Sequence, residues 1–175
     1  MPPDDISPPA GGKKKGQLDL TSRHPQDTQR LGARLGELAK AGDVYLLVGN
    51  LGAGKTCLTQ GIARGLGIKE YALSPSFVII RELYGRLPLY HMDLYRLDDT
   101  AEIDELGLDE YIYGNGVCVV EWAEKGLALL PPEHLLVQID YREDTRRHLK
   151  LTAIGRRYRE LIAALGKGGA DAAGH

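Results

Sequence analysis

The segment Gly49-Asn50-Leu51-Gly52-Ala53-Gly54-Lys55-Thr56 fits G-x-x-x-x-G-K-[ST] at every fixed position. Glycines let successive backbone N–H groups turn inward around a phosphate chain. A lysine then reaches the β and γ oxygens, and the closing hydroxyl sits where Mg2+ binds. The apolar run "VYLLVG" precedes the motif, and "KTCLTQGIARGLG" follows it with the character of a helix ended by Gly67. Strand, loop and helix in that order give the motif its context, and the helix adds its positive N-terminal end. Lys55 and the span from Asn50 to Thr56 are therefore read as contacts for a Mg-nucleotide.

A cation held by phosphates ordinarily takes a protein carboxylate too, from a strand whose C-terminal end reaches the loop. Asp93 closes "LPLYHMD" and Glu121 closes "VCVVE", so both carboxylates are expected at strand ends. A solvated surface carboxylate is the competing reading of Asp93. Glu121, set between four apolar residues and Trp122, is the better candidate for a functional group. No N-K-x-D occurs, which leaves guanine recognition of the usual GTPase kind unsupported, and no "LSGGQ"-like signature of a transporter motor occurs. A compact ATPase and a small-molecule kinase both remain open on these residues alone.

The elements that must carry these groups are legible from periodicity. Leu31, Leu35, Leu38 and Ala39 recur at helical spacing, with Gly42 expected as a left-handed cap. "SPSFVIIRELYGRLPLYHMDLYRL" reads as two strands joined near Tyr84 to Arg86. "TAEIDELGLDEYIY" reads as one helix with Thr100 as its N-cap, and "GVCVVEW" as a buried strand. "HLLVQIDY" and "HLKLTAI", flanking the polar turn "REDTRR", signal an antiparallel hairpin. Interleaved strands and helices predict an α/β fold, a three-layer P-loop NTPase-like sandwich whose sheet is largely parallel with antiparallel additions.

Composition sets the bounds around that body. With 175 residues, 43% hydrophobic and 26% charged, the chain is the size of one domain with a proper core. A net charge of -2 supplies no global field toward nucleic acid or a membrane, so any such contact would be local. Apolar runs fall far short of a membrane span, and Cys57 and Cys118 lack metal-ligand spacing, which together predict a cytoplasmic protein. Residues 1–17, with Pro, Gly and Lys13-Lys14-Lys15, read as a disordered tail, 18–165 as the nucleotide-binding domain, and 166–175 as a second tail.

Four stretches taken together, "GNLGAGKT", "SPSF" at Ser74 to Phe77, "HMDLYRL" at His91 to Leu97 and "VEW" at Val120 to Trp122, closely resemble the TsaE (YjeE) family in order and spacing. The resemblance implies a small bacterial Mg-dependent ATPase that helps to install threonylcarbamoyl on the adenosine beside the tRNA anticodon. Its implied partners are TsaB and TsaD, with TsaD carrying out the transfer and tRNA met through the complex. By position, Thr56 and Glu121 would hold Mg2+, Asp93 would serve hydrolysis, and the Ser76 hydroxyl would sense the γ-phosphate. The backbone N–H of Cys57 would keep an α-phosphate contact that a second Thr commonly shares in the family. Arg146 falls in the turn that the family places near the nucleotide. His91 reads as a structural histidine beside Asp93, Trp122 as a packed aromatic, and Arg96 as a partner for a surface ion pair.

Overall fold

The apolar run Val44–Val48 forms the central strand, β2, of a computed structural model that describes residues 16–50, 52–69, 79–141 and 146–172. Its side chains alternate between two cores. Tyr45 and Leu47 join one and Val44 and Leu46 the other, which is why the run is continuously apolar. Around it lie β1 (Gln17–Ser22), α1 (Pro25–Leu38), α2 (Lys55–Gly65), β3 (Ile80–Tyr84), β4 (Pro88–Asp93), α3 (Thr100–Asp104), α4 (Asp109–Ile112), β5 (Val117–Glu121), β6 (His134–Tyr141), β7 (Arg147–Ile154) and α5 (Arg156–Ala172).

The sheet runs in the order β1-β7-β6-β2-β5-β4-β3. The four middle strands, β6, β2, β5 and β4, are parallel, while β3, β7 and β1 pair antiparallel at the two sides. Leu35 of α1, Leu58 and Ile62 of α2 and Leu161 of α5 cover one face. Ile103 of α3 and Ile112 of α4 cover the other. This is the expected three-layer α/β sandwich. No helix among the described residues is long and apolar enough to cross a membrane.

Helix α2, which follows the glycine-rich loop, is fixed from outside by α1. A Cβ on Gly65 would lie 2.1 Å from the Ala33 carbonyl, and one on Gly36 2.3 Å from the Ile62 carbonyl. Gly32 and Gly61 meet the opposite backbone in the same way, so two G-x-x-x-G faces let the helices touch main chain to main chain.

Several elements differ from the sequence expectation. The stretch at 100–113 is two short helices, because Gly107 adopts φ 67° between them. Thr100 is the first helical residue there and not the cap. Asp99 caps α3, its Oδ1 accepting from Glu102 N at 2.9 Å. Gly42, at φ 93°, lies beyond the end of α1 in the turn into β2. The last carbonyls of α1 are instead taken by Arg86, which donates to Gly36 O at 2.8 Å and Ala39 O at 3.0 Å, and by Arg157, which donates to Leu38 O at 2.8 Å. The edge strand β1, starting at Gln17, and helix α5, reaching Ala172, have no counterpart in the elements read from sequence. Tyr158, Leu161, Ile162 and Leu165 form the buried stripe of α5, at helical spacing.

Candidate active site

The glycine-rich loop before α2 is shaped by what its glycines permit and by a clamp from β7. Gly52 and Gly54 take φ 80° and 112°, the left-handed region that a side chain disfavours. Leu58 N makes the first helical bond, to Gly54 O at 3.0 Å, so the N–H groups of Lys55, Thr56 and Cys57 have no acceptor within the helix. They are the groups an anion at this helix end would meet. Arg147, the first residue of β7, donates from Nε to Ala53 O at 3.0 Å and from its terminal nitrogen to Gly52 O at 3.4 Å. Its guanidinium also lies 4.1 Å from the Tyr141 ring. A peptide's C=O and N–H point in opposite directions, so holding the Ala53 carbonyl outward turns the Gly54 N–H toward the loop interior.

Lys55 is 5% exposed, with Nζ donating to Gly49 O and to Asn50 O at 3.0 Å. The ammonium also sits 3.9 Å from the centre of the Trp122 ring. Burial pulls the Lys55 pKa down, opposed by the carboxylates of Glu124, Glu121 and Asp93. Trp122 reaches this position through a left-handed backbone, φ 58° and ψ 38°, the only non-glycine positive φ among the described residues. Its ring also meets that of Tyr95 at 4.9 Å between centroids. A cavity of about 360 Å3 opens beside Gly49, Asn50, Trp122, Glu124 and Gln138.

The carboxylates meet because β4 and β5 are parallel neighbours in register, with Asp93 opposite Glu121 at their C-terminal ends. Glu121 is 2% exposed. Its Oε1 accepts from Thr56 Oγ1 at 3.0 Å, and its Oε2 lies 3.1 Å from Thr59 Oγ1 and 2.5 Å from His91 Nε2. Three polar partners thus compensate a carboxylate removed from water. Asp93 is half-buried, and its Oδ1 accepts from Tyr95 N at 3.0 Å. Burial pushes the Asp93 carboxyl above the usual aspartate range. The N–H of Tyr95 works against this, Glu121 adds to it, and His91 and Lys55 also oppose it.

The geometry therefore brings together Asn50, Gly52, Ala53, Gly54, Lys55, Thr56, Asp93 and Glu121. Leu51 and Ser76 lie outside the described residues, as does the Ser74–Phe77 stretch. The Sγ of Cys57 lies 3.3 Å from Pro25 O at the start of α1, which leaves only its backbone N–H at the loop. Arg146 supplies a carbonyl to the Arg147 guanidinium at 3.1 Å, and Arg147 donates to the Ala53 carbonyl of the loop. His91 is buried, as a structural histidine would be, and pairs with Glu121. Thr59 was also missed, although its i+3 spacing from Thr56 places both hydroxyls on one helix face.

Chemically, Thr56 and Glu121 form a hydroxyl and carboxylate pair of the hard-oxygen kind that suits Mg2+. The hydroxyl donates its proton to Glu121 and keeps its lone pairs for a cation. Among the described residues no group of three or more His, Cys, Asp or Glu could cage a metal by itself. Such a pair fits a cation completed by phosphate oxygens and water.

A family model for threonylcarbamoyl adenosine biosynthesis protein TsaE matches residues 22–149. The tRNA threonylcarbamoyladenosine biosynthesis protein TsaE of Bacillus subtilis (strain 168) is 46% identical over 152 residues, covering 86% of this chain and 95% of that protein. Its counterpart from Treponema pallidum (strain Nichols) is 43% identical over 132 residues, covering 75% and 98%. The crystal structure of Bacillus subtilis YdiB is similar with a TM-score of 0.79 at 41% identity, covering 90% of this chain and 99% of that one. The chain belongs to the TsaE family of threonylcarbamoyl adenosine biosynthesis proteins.

Proposed function

We propose that this protein is a Mg-dependent ATPase, an accessory subunit that acts with TsaB and TsaD to reset or gate the complex that installs threonylcarbamoyl on tRNA. The observation that carries the ATPase reading is Glu121, buried at the end of β5 and bonded to Thr56 of the phosphate loop at 3.0 Å. The TsaE name of its relatives supports the tRNA pathway. The two partners and tRNA contact through the complex follow from the family resemblance, and a cytoplasmic location from the short apolar runs and the cysteine usage.

In this reading Mg2+, held by Thr56 and Glu121, supplies neutralising charge to the β and γ oxygens of ATP. The residues do the rest. Lys55, whose ammonium lies at the loop beside the Trp122 ring, supplies positive charge to the phosphate oxygens. The loop N–H groups from Gly54 to Cys57 bind the phosphate chain. Asp93, with its raised proton affinity, orients the attacking water and accepts its proton. Basal turnover is slow and partner binding alters it, because stabilisation of the transition-state charge is completed only in the complex.

Phosphate release by the purified protein, with and without Mg2+, tests the reaction. ADP and inorganic phosphate as the only products, with water the sole phosphoryl acceptor and release abolished by EDTA, are expected. A phosphorylated small molecule would establish a kinase instead, and ATP binding without cleavage would reduce the protein to a nucleotide sensor.

A further inference from the structure

His91 and Glu121 are each 2% exposed, and His91 Nε2 stands 2.5 Å from Glu121 Oε2. The other ring nitrogen, Nδ1, is buried with no hydrogen-bond partner among the described residues. This fixes the tautomer. A proton on Nδ1 would be a buried donor without an acceptor and would set the Nε2 lone pair against the carboxylate, so the neutral ring carries its N–H on Nε2 and donates to Oε2.

The second contact to Oε2, from Thr59, is contested. Thr59 Oγ1 has one proton and lies 3.0 Å from Lys55 O as well as 3.1 Å from Oε2. His91 Nε2 has no such alternative among its hydrogen bonds. Oε2 is therefore anchored chiefly by His91, which leaves Oε1 directed at Thr56. The strand geometry sets this up. His91 lies two residues before Asp93, hence on the same face of β4, and pairs in register with Val119, two residues before Glu121.

Resting on the reading of Thr56 and Glu121 as the cation's protein partners, we propose that His91 is a positioning residue, whose Nε2–H holds Glu121 Oε2 and so aims Oε1 at the Mg2+ position. It touches neither nucleotide nor metal. Its effect belongs in the Mg2+ dependence of nucleotide binding and not in nucleotide binding itself.

The test uses the full chain, a fluorescent ATP analogue and Mg2+ titration, with thermal midpoints recorded for each variant. His91→Gln carries an amide N–H at about the reach of Nε2, and His91→Asn falls short of it. In His91→Asn the half-saturating Mg2+ concentration should rise about tenfold, with the EDTA-state nucleotide affinity unchanged, and His91→Gln should stay within about twofold of wild type. A wild-type Mg2+ response in His91→Asn, or an equal loss in both variants, overturns the proposal. If His91→Asn fails to fold, His91→Gln decides alone: a response near wild type upholds the donor role, and about a tenfold rise overturns it. A wild-type protein with no Mg2+ dependence would instead sink the reading of Glu121, and this inference with it.

Discussion

Thr56 Oγ1 donates to Glu121 Oε1 at 3.0 Å, joining the last residue of the phosphate loop to the C-terminal end of the neighbouring strand. That bond sets loop and carboxylate relative to each other. Replacing Glu121 by Gln keeps the shape but removes the charge and turns an amide N–H2 toward one set of existing donors, either Thr56 or the pair Thr59 and His91. Glu121→Gln should lower hydrolysis by about two orders of magnitude. It should also destabilise the fold by about 1–3 kcal/mol through the unsatisfied buried donors. Phosphate release and urea unfolding measure the two effects, and unchanged hydrolysis would remove Glu121 from the machinery.

Asp93 carries a stability cost at neutral pH. Its carboxyl pKa is raised above the ordinary 3.8, so the folded state binds its proton more tightly than the unfolded chain does. That contribution is favourable at low pH and is lost as pH rises through the window just above 3.8. Asp93→Asn keeps the acceptor for Tyr95 N and discards the charge. Its thermal midpoint should exceed that of wild type at neutral pH, and the gap should narrow as pH falls toward about 4. Hydrolysis should drop by about 10²-fold or more over the same neutral range. A lower midpoint than wild type at pH 7 would contradict the desolvation argument.

Arg147 holds the outward carbonyls of Gly52 and Ala53, and it does so with a planar fork that also stacks on Tyr141. Arg147→Ala should weaken nucleotide binding by about tenfold or more, as expected for losing charge-assisted bonds that shape a loop. Arg147→Lys should recover little of it, since a lysine has neither the fork nor the flat face. Isothermal titration with ATP distinguishes these outcomes, and full recovery in the lysine variant would assign the effect to charge alone.

The face between α1 and α2 leaves no room for a methyl group. Gly65→Ala would place carbon 2.1 Å from the Ala33 carbonyl, backbone against backbone, with no flexible side chain able to yield. It should destabilise the protein by about 2 kcal/mol or more in urea unfolding. Gly42→Ala is the control. Its Cβ would meet nothing within 4 Å, so only the left-handed φ of 93° opposes it, at about 1 kcal/mol.

The strand and helix flanking the glycine-rich motif were legible from an apolar run and helical spacing, and the strand-end positions of Asp93 and Glu121 because each ends an apolar run. The sandwich was legible for the same reason, since buried strands read as continuous runs. The network around Glu121 was not, because it depends on register. Which residue of β4 stands beside which of β5 brings His91 to Glu121, and no periodicity within either strand states it. That Arg147 donates to the Ala53 carbonyl depends on where β7 begins, which the sequence pattern does not state. Strand β1 escaped notice because "QLDLTS" is a short edge strand whose pairing lies with β7, far along the chain. Helix α5 was hidden by its charged start and glycine-containing end, although its buried stripe is regular. The cap at Asp99 turns on competition between two adjacent capable residues, Asp99 and Thr100, and the break on the positive φ that Gly107 adopts, and pattern alone resolves neither.

The central claim is that this chain's ATP hydrolysis serves threonylcarbamoylation of tRNA without performing it. Reconstitution with TsaB, TsaD and substrate tRNA, following phosphate release and tRNA modification together over many turnovers, tests it most directly. The wild-type protein should raise the number of modified tRNAs per complex in proportion to ATP cleaved, and Glu121→Gln should hold the complex to about a single round. Equal multi-turnover modification with wild type, with Glu121→Gln and with no added protein would contradict the account.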